Sequence, residues 1–185
     1  MLLNGWQRIQ RADGNHNPAF GTQISFKPNN KFFINWSTFI GSDQPDSVRR
    51  MRYFNNLYTI AQLNGNIALT AGLDVGIEQK SRNSSSLNLW YTPVGILRIK
   101  LTNTKHVALR AEHYQDKANV IISKINSSEF GIWSYSTNFD WNVNQDVLWR
   151  IETKLMQASN PVFLRRDGRY DRSNWTAAMA LCFSF

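Results

Sequence analysis

The sequence predicts an all-β protein, an antiparallel up-and-down transmembrane β-barrel of about ten strands. Three observations lead there. The closing stretch, residues 175–185, alternates side chains at period two: Trp175, Ala177, Met179, Leu181, Phe183 and Phe185 against Thr176, Ala178, Ala180, Cys182 and Ser184. Successive side chains leave a strand on opposite sides, and eleven residues suffice to cross a bilayer at a tilt. Tight and long connections alternate along the chain, and the alternating segments carry one apolar and one polar face.

Composition sets the bounds. The chain has 185 residues, 42% of them hydrophobic, with seven Trp, six Tyr and eleven Phe. Its mean hydropathy of −0.41 reflects no long apolar run. Nothing approaches the roughly 18 apolar residues of a transmembrane helix, but a barrel conceals its apolar half by alternation. The single cysteine, Cys182, allows no internal disulfide. Net charge is +8, which suits an anion-favouring pore or anionic lipid head groups. The charges do not cluster as nucleic-acid binding requires, so no nucleic-acid partner is expected. Residues 1–8 lack the charged start, apolar core and small-residue cleavage site of a secretory signal. A removed signal or an N-terminally truncated chain is therefore expected, the truncation preferred, with residues 1–185 forming one barrel domain.

Ten strand-like segments are expected at residues 2–9, 19–28, 31–41, 51–63, 66–79, 87–101, 106–115, 129–141, 146–158 and 175–185. Tight connections fall at Asn29-Asn30, Asn64-Gly65, 102–105 and 142–145, rich in the residues that turns select. Long ones fall at 10–18, 42–50, 80–86, 116–128 and 159–174. Strict alternation of this kind is the pattern of an outer-membrane barrel, with short periplasmic turns and long external loops. Pro93 interrupts the segment 87–101 and predicts a bulge or a shorter strand from Gly95. The faces of 51–63 and 129–141 are ambiguous. Phe33 and Phe39 fall among the polar residues of 31–41.

The polar face carries the chemistry. Asp74, Glu78, Arg98, Lys100, Arg110, Glu112, Arg150, Glu152 and Lys154 share it and are the pore-lining candidates. Rows of opposite charge on a lumen wall either set a transverse field and constrict a pore, or fill a narrow interior as ion-pair ladders. Periodicity does not say which face is inside; a soluble lipocalin-like carrier would place the apolar face there. Loop parity, the aromatic terminus and a family resemblance select polar-in. His16, His106 and His113 are scattered, and no triad, phosphate loop, calcium loop or Cys/His cluster is spaced for chemistry. Neither an enzyme nor a cofactor or metal is expected.

Several segments resemble the OmpL-like β-barrel outer-membrane porin family of Gram-negative bacteria. They are residues 17–28, 106–116 and 149–154, the Asn-Pro-Val-Phe at 160–163 and the closing Cys-Phe-Ser-Phe. Arg110, Glu112, His113, Tyr114 and Asp116 match the family's Arg-x-Glu-(Tyr/His)-aromatic-x-Asp pattern. Family members are about twice this length and begin with a signal, so the chain resembles their C-terminal part. The resemblance implies a bacterial outer-membrane location and a channel for passive diffusion of small hydrophilic solutes. The excess of Arg and Lys on the polar face adds a weak anion preference. Ten strands either close alone or form part of a larger barrel. Membrane lipid and lipopolysaccharide are the expected surroundings. The closing strand, with Trp175, Met179, Leu181, Phe183 and Phe185, is the expected membrane-insertion element, read by the barrel-assembly machinery. The alternative is a non-conducting barrel whose external loops bind a partner, with Arg165, Arg166, Arg169 and Arg172 of the 159–174 loop as candidates.

Overall fold

The computed structural model describes residues 1–122 and 129–184. Twelve strands occur among them: β1 (Leu2–Leu3), β2 (Ala19–Asn29), β3 (Phe32–Gly41), β4 (Arg52–Gln62), β5 (Ile67–Gln79), β6 (Leu87–Lys100), β7 (Lys105–Asp116), β8 (Phe130–Asn142), β9 (Val147–Ala158), β10 (Phe163–Leu164), β11 (Tyr170–Asp171) and β12 (Ser173–Phe183). All but β10 and β11 form one antiparallel sheet in the order β1-β2-β3-β4-β5-β6-β7-β8-β9-β12. This is the up-and-down topology that period two and the turns predict. β12 pairs with β9 alone and β1 with β2 alone, so the sheet does not close on itself among the described residues.

The tight turns share one device. A side-chain oxygen at the start of each accepts backbone N–H groups that no strand partner can reach, satisfying donors the reversal would orphan. Asn29 takes that of Lys31, Asn64 those of Asn66 and Ile67, Thr102 those of Thr104 and Lys105, and Asn144 that of Asp146. The long connections all lie at the opposite end. The last of them contains the small β10–β11 hairpin.

Two expectations are corrected. The first segment is a strand only over Leu2–Leu3; the chain then turns away with Gly5 at φ 140° and Gln7 at φ 52°. Pro93 does not shorten β6, which runs unbroken and in register from Leu87 to Lys100. Instead the β6–β7 ladder lapses at Thr92–Pro93 and resumes at Val94↔Glu112 in the same register, because the ring removes one donor without adding a residue. The bulge occurs at Lys27-Pro28, where the β2–β3 register shifts between Phe26 and Asn29. Phe185 and residues 123–128 lie outside the described residues.

The burial pattern runs opposite to that of a water-soluble domain. Buried hydrophobic residues are Ala19, Phe39, Trp90 and Ala158, whereas Asn35, Arg52, Glu78, Asp116, Ser134 and Ser136 are buried polar groups on the polar face. On the other face Phe20, Leu57, Leu73, Leu109, Leu155 and Leu181 remain exposed. A soluble domain would hide such a surface. The register also resolves the two ambiguous segments. Tyr53, Asn55, Leu57 and Thr59 of β4 and Trp133, Tyr135, Thr137 and Phe139 of β8 align with the apolar face. Aromatics ring that face at two levels, with Phe20, Tyr53, Tyr91, Trp133 and Trp175 near the long loops and Phe26, Phe32, Trp141, Trp149 and Phe183 near the turns. Such girdles mark the two interfaces of a spanning barrel.

Candidate lumen

Register places all nine expected wall residues on the polar face. It also brings in partners the sequence reading missed. At the loop end Arg52 donates from Nε and Nη2 to one oxygen of Glu78 at 2.9 and 2.6 Å, and from Nη1 to Asp43 at 2.8 Å. Its guanidinium also lies 5.9 Å from the Trp6 ring centroid and 5.6 Å from that of Trp90. Gly76 makes this packing possible, since a Cβ there would come within 1.9 Å of the Trp90 indole.

Trp6 explains Phe39, one of the two aromatics that interrupt the polar face of β3. Its ring meets Phe39 and Phe54 edge-on at 5.1 and 4.4 Å between centroids, and its backbone N–H donates to Asp43 at 2.7 Å. Phe33 pairs with Tyr58 lower down. The segment 3–9 thus lies across the loop end and walls a cavity of about 660 Å³, together with Asn56, Asp74, Thr92 and Tyr114. Ile121 reaches the same cavity because Asp116, fully buried, accepts the N–H groups of Val120 and Ile121, each at 2.9 Å, and that of Ile122 at 3.3 Å.

Midway, Asn56 donates to Asp74 at 2.6 Å, Glu112 binds Arg110, and Lys154 reaches Glu112 across β8 at 3.3 Å. At the turn end Arg150 grips Asp140 in a two-bond fork at 2.7 and 2.6 Å. The partner of Arg150 is thus a residue of the neighbouring strand that was not among the wall candidates. Arg98 and Lys100 line a smaller pocket, about 160 Å³, with His106. His113 sits on the apolar face, 4.5 Å from Trp133 between centroids. Cys182 lies on the polar face, opposite Leu148.

The four loop arginines are unequal. All four are exposed, but Arg165 donates twice to Asp171, at 3.0 and 2.6 Å, and Arg169 pairs with Asp167, whereas Arg166 and Arg172 have no carboxylate within 4 Å among the described residues. The Ser173 N–H, followed by the Arg165 guanidinium, holds the Asp171 carboxyl down at about 2. A depressed carboxyl stabilises the hairpin fully above its unfolded value of about 3.9 and loses that contribution as pH falls through the folded value. An acid protease should therefore cut the β10–β11 hairpin increasingly as pH drops from about 4 to about 2. In the Asp171→Asn variant the cleavage rate relative to an unfolded control should be flat across that range.

A ten-stranded antiparallel wall with an apolar exterior, aromatic girdles and a charged inner face defines a transmembrane β-barrel of the porin class. The family described as "Putative beta-barrel porin-2, OmpL-like" matches residues 1–185, and the chain belongs to that family. Neither the curated proteins nor the solved structures give a match to this chain.

Proposed function

We propose that the chain forms the wall of a bacterial outer-membrane channel for passive diffusion of small hydrophilic solutes, with a weak preference for anions. The observation that carries this reading is the inverted burial: paired charges and amides on the inner face, aliphatic and aromatic side chains outside. Asp74, Glu78, Arg98, Lys100, Arg110, Glu112, Arg150, Glu152 and Lys154 line the passage. Most are compensated by a neighbour; Arg98 and Lys100 supply the anion bias. Nothing in this arrangement calls for catalysis. The tight turns face the periplasm and the long loops the exterior, where Arg166 and Arg172 are placed for lipopolysaccharide phosphates. The edge of β12 that has no strand partner among the described residues is available to the assembly machinery through Trp175, Met179, Leu181 and Phe183.

The test is to refold the chain into detergent and compare its gel mobility unboiled and boiled, then record planar-bilayer currents in a salt gradient from the same sample. The expected result is a heat-dependent shift, steady conductance and a reversal potential of modest anion preference. Cation preference would overturn the anion part, and aggregation without a shift would mean that these strands need further ones to close. One observation favours a non-conducting barrel with binding loops: segment 3–9 occupies the loop end of the lumen. A mobility shift with no conductance, and partner binding that disappears when the 159–174 loop is deleted, would establish that second reading.

A further inference from the structure

We infer that the turn end of the polar face holds a binding site for small oxyanions of the phosphate or sulfate class, centred on Arg98 and Lys100 of β6. The inference rests on the polar face being the lumen. The observation is an imbalance of partners. Arg52, Arg110, Arg150 and Lys154 each have a carboxylate on that face. Among the described residues Arg98 and Lys100 have none within 4 Å.

The register shows why. Arg98 stands between Ala68 of β5 and Ala108 of β7, and Lys100 stands opposite His106. The carboxylate nearest in register, Asp140 opposite His106, is already held by both prongs of Arg150. Two cations two residues apart on one strand project from the same face. Their mutual repulsion is relieved by an anion between them rather than by the wall itself. The pocket they share with His106, Asn66 and Ala68 has a volume of about 160 Å³. At about 30 Å³ per water, that is room for roughly five waters, or for one tetrahedral oxyanion with part of its hydration shell. Arg98 offers the planar fork that matches two oxyanion oxygens, and Lys100 a mobile point charge. At the mouth of a diffusion channel such a site concentrates anions without the tight binding that would stop flow.

The test measures binding and conduction separately. Inorganic phosphate is titrated by calorimetry into the refolded chain in detergent, with Arg98→Gln, Lys100→Gln and, as an equal change of charge in an external loop, Arg82→Gln. Loss of one charge-assisted contact predicts roughly tenfold weaker binding in each of the first two variants and none of that loss in the third. In bilayers, phosphate added on the turn side should partly block chloride current in the wild type and not in the Arg98→Gln/Lys100→Gln double variant. Phosphate binding equal in all four proteins, or absent from the wild type, overturns the site while leaving the porin reading to its own conductance test. Selective loss of binding in a protein that never conducts keeps the site and removes the porin reading.

Discussion

Replacing Leu73 by arginine is expected to destabilise the folded protein by about 2–4 kcal/mol in a bilayer, the cost of a cation at the midplane of a barrel's lipid face. Leu73 is the central residue of β5, lies between Leu57 and Pro93 on the apolar face, and is 43% exposed. In water that exposure would make arginine nearly neutral; in hydrocarbon the guanidinium has no partner. Thr92→Arg is the matched change on the other face. Thr92 stands beside Pro93 and opposite Asp74, so the new cation gains a carboxylate neighbour and a wet cavity. Its effect should stay within about 1 kcal/mol, as for an ordinary substitution away from a packed core. Urea unfolding from lipid vesicles, read as the shift in midpoint at constant slope, measures both. A tolerated Leu73→Arg with a severe Thr92→Arg would turn the sheet inside out and return the soluble-carrier reading.

The same pair of residues marks what the sequence makes legible. A strict period of two fixed which residues share a face along 66–79, 106–115 and 146–158, because a one-residue slip would reverse every side chain. All nine wall residues consequently fall together. The direction of the faces has no periodic signature; it becomes visible only as burial of Asn35, Arg52, Glu78 and Asp116 against exposure of Leu73 and Leu181. Cross-strand partners were not legible, because they depend on the register to the residue. The turns read from the sequence miss the register, by one residue at Asn64-Gly65, which would set Arg52 opposite Ile77, and by three at 142–145, which would set Asp140 opposite Val147; the strands instead pair Arg52 with Glu78 and Asp140 with Arg150. A shift of even one residue in the turn is what hid them. Trp6 is different in kind. Its seat between Phe39 and Phe54 depends on a reversal through Gly5 and through Gln7, a residue with no intrinsic preference for positive φ. Local pattern carries no trace of a contact made across more than thirty residues, although Phe33 and Phe39 on a polar face hinted that something aromatic must meet them.

Arg52→Met is expected to be the most damaging single change in the loop-end cluster, costing about 3–5 kcal/mol, because it strands the buried Glu78 carboxylate and the partly buried Asp43 carboxylate at once. Glu78 is 2% exposed and, among the described residues, has only Arg50, at 3.6 Å, as a second cation; Asp43 likewise has only Arg8, at 3.7 Å. Neither offers the forked geometry that Arg52 provides, so the desolvation of both acids goes largely uncompensated. Methionine keeps the stem's packing against Trp6 and Trp90, which separates loss of charge from loss of contact. The rescue is the discriminating measurement. Neutralising the partners in the triple variant Arg52→Met, Asp43→Asn, Glu78→Gln should recover most of the stability, since removing all members of a buried network is milder than removing one. It should also loosen segment 3–9, which loses the Arg8–Asp43 ion pair and keeps only a neutral amide oxygen as acceptor for the Trp6 N–H, and so widen the lumen at that end. A triple variant with restored urea midpoint and larger single-channel current would identify the cluster as the clasp that holds Trp6 across the channel. Restored stability with unchanged current would mean that Trp6 is held by Phe39 and Phe54 alone and that the charges act on the wall.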